Sequence, residues 1–282
     1  MRLTFLTSIA MLAFAANSVL CRLALKETSI DAASFTSVRI LSGAIVLWLL
    51  LTYQNRSIDR AILSKGSWLS ALALFIYAAG FSFSYISLST GTGALLLFGT
   101  VQISMIGYGI YRGESYNLTQ KIGSLVASIG LVALLLPGIS APPLVGSLLM
   151  ILAGIAWGVY SLRGKGSVNP SADTAGNFLR AIPLCILLST VTLNETSWHA
   201  TGFYYALLSG GFASGLGYAI WYAVLPAIKS TTAATVQLSV PVIAAFAGVT
   251  FLTEPLDLRL TLAAIAILGG IFLVLTNNKK AG

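Results

Sequence analysis

Charge is what this sequence has least of. Only 8 of its 282 residues are Asp or Glu, 16 are Lys or Arg, and His199 is the single histidine. A soluble domain of this length needs far more polar side chains to cover its surface, so a water-soluble fold is excluded. Scarce acids and one imidazole also remove the paired carboxylates and clustered histidines that membrane enzymes use, which argues against an enzyme. Cys21 and Cys185 stand alone in apolar runs, with no spacing for a disulfide framework or a metal. No metal and no cofactor is predicted. The apolar segments do not alternate with polar residues, which rules out a transmembrane β-barrel.

What the chain does have is long oily runs. Apolar residues make up 57% of it, and a membrane span needs roughly 20 in a row. Cutting at polar and Gly/Pro breaks predicts ten spanning helices, at 3–25, 32–53, 68–88, 92–111, 121–137, 142–163, 173–193, 199–224, 230–252 and 259–276. The N-terminal run resembles a signal peptide in carrying Arg2 and "AFAA", but it continues to Leu25 and reads as an uncleaved first helix. The expected fold is an all-α polytopic membrane protein.

Orientation follows from where the basic residues fall. With the N-terminus inside, Arg2, Arg56, Arg60, Lys65, Arg112, Lys121, Arg163, Lys165, Lys229, Lys279 and Lys280 lie at cytoplasmic ends, and only Arg22, Lys26 and Arg259 at outer ones. That bias predicts both termini in the cytoplasm. It also accounts for the net charge of +8 without nucleic acid as a partner.

The two halves echo each other. Arg22 and Arg163 are 141 residues apart, as are Arg39 and Arg180; Glu114 and Glu254 are 140 apart, as are Gly130 and Gly270. Gly80 and Gly217 correspond after a shift of three residues, which the extra length around Pro226 to Lys229 absorbs. An offset of five helices makes the second half enter the membrane from the opposite side. The prediction is a 5+5 inverted-topology repeat, 1–139 and 140–282, around a central cavity, an architecture of many secondary transporters. Glu114 and Glu254 then occupy matching tight connections between spans. The acids near Pro255 read as hinge residues favouring a helix N-terminus.

The C-terminal segment, from "GYAIWYAVLPAIKS" through Pro241 and "FLTEPLDLR" to Gly270, resembles the signature of the EamA family in the drug/metabolite transporter superfamily. The first half is similar more loosely, with Arg39, Gly93–Ala94, Glu114 and Gly130 in register but Val101 in place of the proline. The resemblance implies a ten-helix basket with a cavity lined by helices 1, 3, 4, 6, 8 and 9. In length and aromatic content the chain is similar to bacterial inner-membrane exporters of aromatic amino acids, the YddG type. That implies a multi-pass protein of the inner membrane exporting neutral or aromatic amino acids by alternating access, with other metabolites or drugs, proton-coupled, as the alternative.

With the loops set aside, no Asp or Glu remains at mid-membrane depth. Arg39 and Arg180 are the ionisable residues within the spans, and their symmetry suggests matched structural or gate roles. His199, beside Trp198, reads as an interface anchor. No proton relay is visible, so a uniporter or facilitated carrier is expected.

Aromatic residues carry the binding prediction. Tyr77, Phe81 and Tyr85 recur every four residues on helix 3; Tyr218, Trp221 and Tyr222 lie on helix 8, Trp157 and Tyr160 on helix 6, and Phe98 on helix 4. They alternate with Gly80, Ser84, Ser214 and Gly217, which leave room for a ligand or for close packing. Such stripes are more often lipid-facing packing or interfacial belts, and it is their recurrence on the repeat-related helices 3 and 8 that favours a site. Asn17, Gln102 and Gln237 are uncharged polar groups that serve either as ligands or as interhelical glue. The predicted substrate-binding set is Asn17, Tyr77, Phe81, Phe98, Trp157, Tyr218 and Trp221, with a kink at Pro241 supplying further polar groups.

Overall fold

The structure is a computed structural model. It describes residues 2–55, 65–113, 117–136, 141–164, 167–224, 227 and 236–276. Glu114, Arg56, Arg60, Pro226 and Lys229, with Lys165, Lys279 and Lys280, lie outside the described residues.

The described residues are almost entirely helical. The elements are α1 (Arg2–Glu27), α2 (Ala32–Asn55), α3 (Trp68–Tyr85), α4 (Thr90–Tyr111), α5 (Leu118–Leu135), α6 (Leu144–Gly164) and α7 (Pro170–Val191). They continue with α8 (Ala200–Val224), α9 (Ser239–Leu252) and α10 (Leu258–Thr276). All but α9 are long and apolar enough to cross a membrane. Outward faces carry Leu12, Leu41, Phe246 and Ile265, each well exposed, as expected of surfaces that meet lipid rather than water.

Polar residues at the breaks set the boundaries. Ser67 caps α3 by accepting from the Ser70 amide, and Asn117 forms a capping box with Gln120 on α5. Asn169 caps α7, with Pro170 at the first helical position, where its missing N–H costs nothing. Pro241 lies in the first turn of α9, just past a turn at Leu238 that follows helical residues 236 and 237, so its missing amide falls where the helical ladder is interrupted.

Helices run alternately up and down, and the loops meet at two ends. At one end Asp31 accepts from the amides of Ser34 (2.8 Å) and Ser197 (2.9 Å), joining the α1–α2 and α7–α8 connections. Burial alone would raise the Asp31 carboxyl, but the hydrogen bonds from Ser197 and Ser34 outweigh it and hold it below the ordinary carboxylate value. At the other end the Gly66 and Ser67 amides donate to Asp173 and Asn177.

The charges at residues 254 to 259 each close a different helix end. Glu254 accepts from the Thr90 amide at the start of α4 (2.7 Å), Asp257 from the Leu260 amide of α10 (2.6 Å), and Arg259 donates to the Ala133 carbonyl near the end of α5 (3.4 Å). Asp257 thus acts on its own helix as expected, whereas Glu254 acts on α4. Thr253, at φ 52°, is in the left-handed region, a strained conformation for a β-branched residue. The turn it makes puts Glu254 beneath α4. The segment is a structural junction.

α5 packs along α10, α3 along α6, α2 against α7 and α1 against α8, with α4 between α6 and α9. The α5–α10 contact is backbone-close: a methyl on Gly270 would press on the Gly123 carbonyl oxygen and the Ala127 amide. α8 departs from the regular helix the sequence predicts. Leu208–Leu216, "LSGGFASGL", is a π-helix. Small side chains tolerate the wider turn, and π segments are frequent at functional sites. Gly210 within it lies so close to the Arg39 carbonyl and the Ser42 hydroxyl that a side chain would collide with both.

Candidate functional site

A buried cavity lies at the centre of the bundle. Its wall is Phe14, Asn17 and Ser18 of α1, Tyr77 and Phe81 of α3, Leu97 and Phe98 of α4, Trp157 of α6 and Tyr218 of α8. Six of the seven predicted binding residues are therefore brought together; Trp221 is not in the wall. It packs edge-on behind Phe14, with centroids 5.9 Å apart. Among the described residues none of α9 is in the wall; the first part of the predicted span 230–252, from which the family resemblance implies a contribution, lies outside the described residues. Phe14 and Ser18 escaped the sequence reading, yet both flank Asn17 on one helical face, and that spacing was the available signal.

The rings lock together. Trp157 lies 4.7 Å from Tyr77, 5.1 Å from Tyr218 and 5.4 Å from Tyr160, centroid to centroid. Tyr77 also meets Phe81 at 5.6 Å, and Phe14 meets Tyr218 at 5.8 Å. These separations are within the range where tilted and edge-on pairs attract. The free volume among the rings is ≈ 20 Å³, room for about one water molecule. The site is closed around itself.

Polar groups form one side of it. The Asn17 amide donates to the Tyr77 hydroxyl (3.4 Å), and its carbonyl oxygen accepts from Ser209 of the π segment (2.5 Å). Behind Tyr77 lies Arg39, 1% exposed. Its Nη2 donates to the Tyr77 hydroxyl at 2.9 Å and its Nε to Ser214 at 3.3 Å. The guanidinium carbon is 5.1 Å from the Tyr77 centroid and 4.8 Å from that of Phe81. Among the described residues Arg39 Nη1, the Tyr218 hydroxyl and the Ser18 hydroxyl have no hydrogen-bond partner.

Arg180, the sequence counterpart of Arg39, behaves differently. It is half-buried and donates to the carbonyls of Lys65 and Gly176 (3.2 Å to the latter), tying α7 to the start of α3. Of the other polar candidates, Gln102 is buried and Gln237 half-buried, and neither borders the cavity. His199 directly precedes α8 in the α7–α8 connection.

Access is barred differently at each end. Toward the Asp31 end, Arg22 donates to the carbonyls of Tyr85 (2.8 Å) and Ile86 (2.9 Å) and pairs with Glu254 at 3.2 Å. This ion pair, with Thr90 on the other Glu254 oxygen, seals α1, α3, α4 and α9 together. Toward the opposite end a polar recess of ≈ 170 Å³ lies among Ser70, Tyr160, Arg163, Asp173, Asn177 and Tyr222. Tyr160 borders it and stacks on Trp157, so two rings separate the recess from the central cavity. Among the described residues no group of three His, Cys, Asp or Glu side chains could hold a metal.

Similarity to known proteins bears on the family and the fold. The chain is 52% identical to an uncharacterized protein of Pseudomonas aeruginosa, over 97% of this chain and 94% of that one. It is 25% identical to an uncharacterized transporter of Archaeoglobus fulgidus over 95% of both chains, and 22% identical to the uncharacterized transporter YoaV of Bacillus subtilis over 85% of each. A solved crystal structure superposes with a TM-score of 0.68 over 99% of both chains at 14% identity, which speaks to the fold alone. The profile of the EamA-like transporter family matches residues 144–276. The chain belongs to the EamA-like transporter family, membrane-spanning transporters of small molecules.

Proposed function

We propose that this protein carries neutral, chiefly aromatic, amino acids out across a bacterial inner membrane, as a facilitated carrier working by alternating access with both termini in the cytoplasm. The observation that carries the reading is the convergence of Phe14, Tyr77, Phe81, Phe98, Trp157 and Tyr218 on one buried cavity. Flat rings stack on such faces, each contact contributing about 0.5–1.5 kcal/mol. Asn17 offers an amide to the polar end of the substrate. Trp221 acts through Phe14, which it braces.

The small free volume favours a carrier over a channel. Ligand pockets typically measure about 300–1,000 Å³, so the rings must part for a substrate to enter. A pore would instead present a continuous lined path. Counterpart packing supports two halves, 1–139 and 140–282, of inverted topology: α2 meets α7, α4 meets α9, α5 meets α10, and the α3–α6 contact recurs as α8–α1. Among the described residues no carboxylate lines the cavity, which favours uncoupled transport.

Proteoliposomes loaded with labelled phenylalanine, tryptophan or threonine test the proposal, with and without an imposed pH gradient. Counterflow should be fastest for the aromatic substrates, and flux should follow the substrate gradient alone. Accumulation driven by the pH gradient would refute uncoupled transport, and equal rates for all three would refute the aromatic preference.

A further inference from the structure

One buried charge has no part in the transport proposed so far. Arg39 is 1% exposed, and the ion pairs among the described residues, Arg22–Glu254 and Lys26–Glu27, do not include it. A full charge in the interior of a membrane protein costs several kcal/mol unless it is compensated. Two ring faces and two hydroxyls compensate it in part. Its Nη1 has no acceptor among the described residues.

A guanidinium presents its donors as a rigid fork that fits a carboxylate with two parallel hydrogen bonds. Nη2 is engaged by the Tyr77 hydroxyl, a neutral acceptor belonging to the cavity wall, and Nη1 is unused. The Tyr218 hydroxyl, also in the wall and without a hydrogen-bond partner among the described residues, is a further donor. The Tyr77 and Phe81 rings, both in the wall, lie against the guanidinium, so these two rings stand between the charge and the cavity. When the rings part, a carboxylate can replace the Tyr77 hydroxyl at Nη2 and occupy Nη1.

We infer that Arg39 is the anchor for the substrate's carboxylate, so that the site requires a carboxylate-bearing aromatic molecule and rejects its decarboxylated amine. This rests on the cavity being the substrate site, as proposed above. It assigns Arg39 a different role from Arg180, whose guanidinium is taken up by loop and helix carbonyls. The substrate supplies the missing counter-charge. The same positive charge disfavours an organic cation.

Binding to the full-length protein in detergent, measured by calorimetry, separates the cases with three probes: L-phenylalanine, 3-phenylpropionate and phenethylamine. Removing a charge-assisted, two-pronged hydrogen bond should weaken binding by about tenfold or more. The carboxylates should therefore bind and phenethylamine should bind at least tenfold more weakly. In Arg39→Gln that discrimination should vanish, and Arg39→Lys should be intermediate. If Arg39→Gln does not fold, the wild-type series and Arg39→Lys decide. Phenylpropionate binding without phenylalanine would sink the amino acid reading and keep the anchor. Equal binding of phenylalanine and phenethylamine would do the reverse, and binding of none of the three overturns the inference.

Discussion

Trp157 is the side chain on which the ring cluster turns, and its replacement gives the sharpest test of the site. It touches Tyr77, Tyr218 and Tyr160, so Trp157→Ala removes three ring pairs and leaves a void. Trp157 is half-buried, so the protein should lose about 3 kcal/mol of stability or less, the low end of the range for deleting an aromatic from a core. A substrate ring loses one stacking partner, about 0.5–1.5 kcal/mol, or roughly two- to thirteen-fold in affinity. The two effects must be kept apart. Counterflow of phenylalanine and threonine measured on the same vesicles does so, because the ratio of the two rates cancels the amount of folded carrier. The phenylalanine-to-threonine ratio should fall by that two- to thirteen-fold factor. Trp221→Ala, one ring removed from the cavity, should shift it less. An unchanged ratio in Trp157→Ala would mean that substrate never meets this ring and that the cluster is only core.

Four further outcomes follow from the same structure. Glu254→Gln breaks the pair with Arg22 but keeps an acceptor for the Thr90 amide; it should cost about 1.5–3 kcal/mol in thermal unfolding while transport per folded molecule falls modestly, and a well-folded but inactive variant would contradict the structural role. Because the Asp31 carboxyl is held below its ordinary value, its charge stabilises the fold at neutral pH, and that contribution is lost as pH falls through the lowered value. The melting difference between wild type and Asp31→Asn should therefore hold at neutral pH and shrink as the pH is lowered past the ordinary carboxylate value, and a pH-independent difference would remove the charge from the account. Gly270→Ala presses on the α5 backbone whereas Gly269 has open space beside it; the first should destabilise by about 1–3 kcal/mol and Gly269→Ala should be tolerated, as yield and melting of the two variants would report. Reporter fusions at Gln54 and Thr196 should signal opposite sides of the membrane, and matching signals would overturn the helix count.

Much of this protein is legible in its sequence because a bilayer leaves the chain few options. Backbone groups without water must pair within their own segment, so each apolar run is a helix, and Ser67, Asn117 and Asn169 mark where runs stop. The aromatic spacing on α3 was enough to nominate Tyr77 and Phe81, since residues four apart share a helical face. Which faces turn inward is another matter. Every face of these helices is oily, so periodicity cannot separate a ring that meets lipid from one that meets a neighbour. Trp221 and Trp157 look alike in the sequence, and only packing put one behind Phe14 and the other in the cavity wall. The π segment at 208–216 depends on α2 lying against Gly210, a contact between residues more than 160 apart in number. Arg39 and Arg180 are symmetric in the sequence, and tertiary structure broke the symmetry: Arg180 finds carbonyls at a helix end, while Arg39, enclosed by α2, α3 and α8, finds two aromatic faces and one donor left over.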